Sequence, residues 1–165
     1  MVEVEVANRS GAAVDEQAAV ELVREVLAAE GIDEGEVGLV FVLPEEAREL
    51  KREHLGVDEV PDVLAFPIDG GEALPDGVPR HVGDLVVCPD VVRDHWREPL
   101  IHGTLHLVGY DHGDQMAARE DALRRLTSVV AHPSSRASTS PSKGSSTCSA
   151  RSGTCGSTSG SRSAC

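Results

Sequence analysis

One short segment of the chain, residues 102–112, carries three histidines at the spacing H-x3-H-x5-H. His102 and His106 are four residues apart, so on a helix their side chains project from the same face, one turn apart. Gly109 can adopt the left-handed conformation that ends a helix and reverses the chain. Such a turn brings His112 round to face the other two histidines. The chain must therefore build a helix that ends in a glycine turn at this point, and the rest of the fold has to accommodate that unit.

This histidine segment has the composition of an open metal site. Three imidazoles leave a fourth position on a zinc ion free, as in catalytic rather than structural zinc sites. The spacing equals that of the zinc-protease motif H-E-x-x-H-x-x-G-x-x-H in every position but one, because Gly103 stands where the protease has its general base. The sequence therefore predicts zinc ligands at His102, His106 and His112 without the protease glutamate.

The residues around these ligands leave other roles open. Asp111 has two possible roles. It acts at the site, by orienting a ligand imidazole or helping to move a proton, or it caps the turn. Tyr110 is predicted to pack. The remaining histidines of the acidic part of the chain, His54, His81 and His95, are isolated and are predicted to be surface residues.

Zinc held by three imidazoles lowers the pKa of its water to about 7, which suits hydrolysis of an ester such as a phosphodiester.

The composition divides the chain near residue 131. Residues 132–165 contain no Leu, Ile, Val, Met, aromatic or acidic residue and are mostly Ser, Thr, Gly and Ala. Such a segment has too little apolar surface to offset its ordering entropy, so we expect a folded domain at 1–131 and a disordered Ser-rich tail at 132–165. The whole chain has a net charge of −13; the tail holds four basic and no acidic residues, so the domain carries −17. An acidic domain argues against a general nucleic-acid binder.

The cysteines and the apolar runs bear on the compartment. Cys88 is the single cysteine before the tail, so no disulfide framework is expected. The sequence shows no signal peptide and no apolar run of membrane-spanning length. We therefore expect a cytoplasmic protein with no membrane partner.

The hydrophobic periodicity predicts an α+β fold. In chain order it indicates strands at 2–7, 37–43, 62–68 and 83–89, with helices at 14–29, 44–54, 90–96, 99–108 and 114–130. The order β-α-β-α-β-β followed by helices favours a small mixed four-stranded sheet with helices packed on it, and a metal site on the histidine helix and the turn after it. Met116, Leu123 and Leu126 are predicted for the apolar face of the last helix.

Three motifs in register resemble one known family. Residues 102–112 match the pattern H-G-x-L-H-L-x-G-Y-D-H in full. Residues 62–67, D-V-L-A-F-P, are similar to a D/N-V-L-S-F-P strand, and residues 83–89, G-D-L-V-V-C-P, to a G-D-I-V-I-S/C-P strand. Across about residues 1–130 the chain resembles the YbeY family of bacterial endoribonucleases, the rRNA maturation factors.

The resemblance implies a zinc-dependent, single-strand-specific endoribonuclease acting in 16S rRNA 3′-end maturation and ribosome quality control in the cytoplasm. It implies zinc ligands at His102, His106 and His112, and single-stranded RNA or an rRNA precursor as substrate. Ribosomal proteins or small-subunit assembly factors are further implied partners.

The chain also departs from the family. Only twelve residues, 90–101, separate the fourth strand from the first zinc ligand, where family members usually have about a dozen more. Leu55 occupies a position that is basic in many members, and Pro61 and Ala65 replace a usual Thr and Ser. Two alternatives therefore remain, a zinc peptidase that recruits its base elsewhere and a non-catalytic, zinc-stabilised ribosome-assembly module.

Positive charge for RNA has to come from local clusters. The candidates are Arg48, Lys51 and Arg52 on the second helix, and Arg80, Arg93 and Arg97 around the fourth strand and the helix after it. The alternative is a solvated helix face on which neighbouring glutamates balance the basic residues.

Overall fold

The computed structural model describes residues 1–130, and the predicted tail at 132–165 lies outside the described residues. The strands are β1 (Val2–Asn8), β2 (Gly35–Phe41), β3 (Val63–Pro67) and β4 (His81–Val87). The helices are α1 (Glu16–Ala29), α2 (Pro44–Leu55), α3 (Pro89–Val92), α4 (Arg97–Leu107) and α5 (Asp114–Val130), with a 3-10 turn at Arg93–His95 between α3 and α4. The predicted α+β fold is confirmed, and each predicted element has a counterpart, except that the helix predicted at 90–96 is divided into α3 and the 3-10 turn.

The sheet has four strands in the order β1-β2-β4-β3. β1 pairs with β2 and β2 with β4 in parallel, and β3 pairs with β4 in antiparallel orientation. Parallel neighbours require a crossover connection, and α1 provides it between β1 and β2. The prediction of a small mixed sheet is confirmed, and β3, which carries the second family motif, lies at one edge.

Helix α1 shows how sequence sets an element's limits. The predicted start at residue 14 is two residues early, because the Asp15 carboxylate caps the helix by accepting a hydrogen bond of 3.0 Å from the Ala18 N–H. Leu22, Val23 and Val26 on its apolar stripe are buried against the sheet. The helix thus closes one face of the core.

Helix α2 covers a smaller apolar cluster that contains Val42, Ala47, Leu64, Val86 and Cys88.

Helix α4 is the most buried helix and carries the first two histidines. It begins at Arg97, two residues before the predicted start at Pro99, and contacts α1, α5, β3 and β4. Gly103 is buried where α4 meets the edge of the sheet: a Cβ atom there would lie 2.8 Å from Val63 Cγ2 and 3.0 Å from Leu85 Cδ2. The close approach of α4 to β3 and β4 therefore requires glycine at this position.

The last helix follows its predicted bounds, but one residue of its predicted apolar face is wrong. Met116 and Leu123 are buried, whereas Leu126 is 56% exposed. Thr127 occupies the buried position instead, and its hydroxyl donates a hydrogen bond of 2.9 Å to the Leu123 carbonyl. A step of four residues from Leu123 keeps the helical stripe aligned on Thr127, and a hydroxyl bonded within the helix can be buried there.

Within residues 1–130, no helix combines the length and the apolar character that crossing a membrane requires.

The contact at Gly103 generates a stability prediction. Gly103→Ala forces a methyl group into Val63 and Leu85, and such overpacking costs about 1–3 kcal/mol. The higher helix propensity of alanine offsets at most about 1 kcal/mol of this. We expect a net loss in the free energy of unfolding, measured by urea denaturation with chelator present. Gly113→Ala is the matched control, because a Cβ there meets no atom within 4 Å; an equal effect of the two variants would contradict the packing role.

Candidate metal centre

The structure brings the three predicted histidines together. One ligand nitrogen from each of His102, His106 and His112 lies within 4.8 Å of the other two. His106 Nε2 is 3.1 Å from His102 Nε2 and 3.3 Å from His112 Nε2. Two nitrogens bound at about 2.0–2.1 Å to one tetrahedral ion lie about 3.3 Å apart. The two distances at His106 therefore match those of ligands on one metal ion, and all three nitrogens are close enough together to hold it.

Local geometry explains why the three side chains converge. His102 and His106 share a face of α4, and the helix ends at Leu107, with Val108 as the residue that caps it. Gly109 then takes a φ of +99°, as the sequence predicts, and the Gly109 and Tyr110 N–H groups bond to the last carbonyls of α4. This turn returns the chain so that His112 reaches the other two imidazoles.

The backbone of the turn fixes the tautomer of His106. Its Nδ1–H donates to the Tyr110 carbonyl at 2.8 Å, so the lone pair of Nε2 faces the other histidines. Burial is the main reason why the pKa of His106 lies below its usual value, and the neighbouring His102 and His112 lower it further. A neutral imidazole is the form that binds a metal.

A carboxylate on α5 plays the same part for His102. Glu120 accepts a short hydrogen bond from His102 Nδ1–H, which directs Nε2 towards the other two ligand nitrogens. Carboxylate–histidine pairs of this kind orient metal ligands and raise their basicity. Sequence reasoning missed Glu120, although a signal is present: the residue lies on the buried stripe of α5, four residues after Met116 and three before Leu123.

The turn itself is anchored to the end of α1. The Tyr110 hydroxyl donates to Glu30 Oε2 at 3.0 Å, and Arg119 of α5 forms an ion pair with the other oxygen of the same carboxylate. Arg119 also donates to the Ala29 carbonyl at 2.7 Å. The Glu30 hydrogen bond, followed by burial, raises the pKa of Tyr110. Tyr110, predicted only to pack, thus holds the backbone carbonyl that orients His106.

The metal centre opens into a cavity of about 930 Å³ between α2, β3, α4 and α5. Its wall includes residues of β3 and the end of α2 together with His54, His102, His106, His112, Asp111 and Glu120. His54 and His95 are exposed, and His81 lies outside this cavity, with Nε2 3.5 Å from Asp84. Within residues 1–130, these three histidines take no part in the metal cluster.

Asp111 lies in the cavity wall but does not orient a ligand. Among the described residues, its carboxylate makes no hydrogen bond to a histidine, whereas Glu120 does. Its negative charge raises the pKa of His106 and opposes in part the effect of burial. A proton-transfer role for Asp111 stays a prediction.

Most of the predicted basic residues are engaged elsewhere. Arg48 makes a bidentate pair with Asp58 at 2.7 and 2.8 Å, and Arg80 donates to the Gly70 and Glu72 carbonyls. Of the six candidates only Lys51 lines the metal cavity, where Arg124 of α5 joins it. The two predicted clusters therefore do not form a basic surface at the site.

Gly103 also lines the cavity, and its packing bears on the peptidase alternative. The missing side chain would point at Val63 and Leu85 rather than into free space. A glutamate at this position would have to displace the Val63 and Leu85 side chains. The chain therefore has no general base at the place where the zinc-protease motif carries one, and the packing disfavours a larger side chain there.

Comparison with known proteins places the chain in a family. The family described as "Endoribonuclease YbeY" matches residues 5–131. The chain belongs to the endoribonuclease YbeY family. The resemblance seen in the sequence motifs is thereby confirmed, and the chain falls in a family of hydrolytic nucleases.

Individual relatives carry the same description. A Halorhodospira halophila endoribonuclease YbeY is 38% identical over 60% of this chain and 73% of its own length. A Tropheryma whipplei relative is 43% identical over 54% of this chain and 59% of its own length. A Salinispora tropica relative is 33% identical over 81% of this chain and 98% of its own length.

The carboxylate on α5 generates a prediction about metal affinity. Glu120→Gln keeps the shape of the side chain but removes the charge that supports His102, and loss of such a partner weakens metal binding by about 10- to 100-fold. We expect at least the lower value in a competition titration with a zinc-binding dye. Asp121→Asn is the control, since Asp121 is exposed and pairs with Arg125. Unchanged affinity in Glu120→Gln would contradict the assignment.

Proposed function

We propose that this protein is a zinc-dependent endoribonuclease that cleaves single-stranded RNA, with His102, His106 and His112 as the zinc ligands. The observation that carries the proposal is the convergence of three histidine nitrogens within 4.8 Å of one another, in an open cavity of a chain that belongs to the endoribonuclease YbeY family. Three nitrogen donors with no thiolate suit zinc and leave a coordination position for catalysis.

When bound, zinc supplies a Lewis acid that polarises a phosphoryl oxygen and provides hydroxide near neutral pH. The protein's own groups supply orientation. The Tyr110 carbonyl and the Glu120 carboxylate hold the Nδ1–H groups of His106 and His102, so both Nε2 atoms stay available as ligands. Asp111, in the cavity wall beside His112, is the carboxylate that we assign to holding a proton during the reaction.

Membership in the family supports a proposal for the biological setting. We propose that the substrate is an rRNA precursor, that the protein acts in 16S rRNA 3′-end maturation and ribosome quality control, and that it works in the cytoplasm. Ribosomal proteins or small-subunit assembly factors are its proposed partners there. We assign the activity to the domain at residues 1–131 and none to the tail at 132–165.

The test is chelator-sensitive cleavage of RNA. Purified protein should cleave a labelled single-stranded RNA, chelator should abolish the cleavage, and added zinc should restore it. His106→Ala should lower cleavage by at least about 100-fold, because removing the central ligand breaks both Nε2 contacts. His95→Ala, an exposed histidine outside the cavity, should cleave as well as the unchanged protein.

Two results would overturn the proposal. Equal cleavage by His106→Ala and the unchanged protein would assign the activity to a contaminant. Cleavage of casein but not of RNA would favour the peptidase. Elemental analysis of the purified protein, with about one zinc per chain expected, tests the metal independently of activity.

A further inference from the structure

The metal cavity has an aromatic wall that the three histidines do not explain. His54 at the end of α2 and Phe66 of β3 pack edge to face, with ring centroids 4.8 Å apart and planes inclined by 61°. Both side chains line the cavity that contains His102, His106 and His112. His54 is exposed and Phe66 is half-buried, so the pair presents ring surface to the cavity.

Packing in the hydrophobic core explains the position of Phe66 but not that of His54. Phe66 packs with one side against the apolar cluster beneath α2. His54 lies outside that cluster, and the next residue, Leu55, is 61% exposed and lines the same cavity. The end of α2 and the edge strand thus leave an apolar, aromatic surface facing the site.

The charges in the cavity favour an uncharged mode of recognition. Lys51 pairs with Glu59 at 3.1 Å, and Arg124 pairs with Glu98 at 3.1 Å. The cavity wall also contains four carboxylates, those of Asp62, Glu98, Asp111 and Glu120. The carboxylates outnumber the two cations, so the cavity offers a phosphate backbone no net positive charge. Aromatic rings hold an unpaired base through stacking, which does not depend on phosphate contacts.

We propose that His54 and Phe66 form a stacking platform that holds an unpaired base of single-stranded RNA beside the metal centre. The inference rests on the proposed function and adds how its substrate is recognised. Every base has a π-face, so the platform tolerates different sequences. It selects single strands, because in a duplex the faces of the bases are covered by their neighbours.

Binding of RNA to ring variants tests the platform. Fluorescence anisotropy with a labelled single-stranded oligouridine, in chelator to prevent cleavage, measures the dissociation constant. His54→Leu keeps an apolar side chain without a ring and should weaken binding at least about fivefold, the lower limit for base–aromatic stacking. His54→Tyr restores a ring and should bind as tightly as the unchanged protein. His95→Leu, on the 3-10 turn outside the cavity, is the control and should have no effect.

Two further measurements separate stacking from other roles of His54. A strand of the same length with abasic sites should bind the unchanged protein and His54→Leu equally, because no base is present to stack. The dependence of log affinity on log salt should also have the same slope for both proteins. A slope that falls by about 0.7 in His54→Leu would mean that His54 contacts a phosphate, and would overturn the proposal.

Phe66→Leu provides a second variant from the other element of the platform. Its melting temperature, measured by circular dichroism, shows whether the fold survives, since Phe66 is partly in the core. If it folds, it should also bind oligouridine at least about fivefold more weakly. A folded Phe66→Leu that binds normally would overturn the role of Phe66.

Failure of the platform can be told from failure of the proposed function. If the unchanged protein cleaves RNA with zinc and His54→Leu leaves both the dissociation constant and KM unchanged, the platform is wrong and the function stands. If RNA binding depends on His54 but zinc-loaded protein does not cleave, the platform stands and the function fails. If the unchanged protein does not bind oligouridine at all, the platform is overturned.

Discussion

Helix α4 lies so close to the edge of the sheet that a side chain at Gly103 would press on Val63 and Leu85, and this contact helps to place the two histidines of the helix. Gly103 faces Val63 of β3 and Leu85 of β4, with no room for a Cβ. The residues on either side of it in the helix are fixed by this approach, so His102 and His106 face the cavity rather than the core. Gly103 therefore affects both the packing and the chemistry. It lets α4 approach the sheet, and it leaves no side chain where the zinc-protease motif has its general base.

The centre is then held from parts of the chain that are far apart in sequence. Glu120 reaches His102 from α5, and Glu30, at the end of α1, binds Tyr110 and Arg119 across about eighty to ninety residues. The Glu30 side chain is only 10% exposed, so its hydrogen bonds lie in a medium where charged contacts are stronger than in water. These contacts fix the turn after α4 on two sides. The imidazoles of His102 and His106 are thus oriented by the protein itself.

The sequence predicts the features that local geometry controls. The four-residue spacing of His102 and His106 and the glycine turn at Gly109 follow from helix geometry, and the structure shows both. The strands and helices lie within a few residues of their predicted limits, since hydrophobic periodicity is also a local signal. Capping shifts the starts, as the Asp15 side chain does for α1.

What the sequence does not reveal depends on contacts between distant elements. Nothing local to Glu30 indicates that Tyr110 and Arg119 will meet it. Glu120 is a partial exception, because a carboxylate on a buried helical stripe needs a partner. The hydrophobicity of Leu126 predicts a place on the apolar face, whereas the geometry of α5 places Thr127 there. The basic clusters were similarly identified by composition, and most of their members bind acids or carbonyls outside the cavity.

The short connection before α4 is strained, but the contacts of α4 with its neighbouring helices and strands keep that strain away from the histidines. Arg93 has a φ of +47°, a strained value for a residue with a side chain, and such strain costs about 1–3 kcal/mol. A separate cavity of about 130 Å³ lies beside Arg93 and Trp96, and none of the three clustered histidines lines it. Helix α4 nevertheless contacts α1, α5, β3 and β4 directly. Because these contacts, and not the preceding segment, determine where α4 lies, a short connection can be strained without moving the histidines.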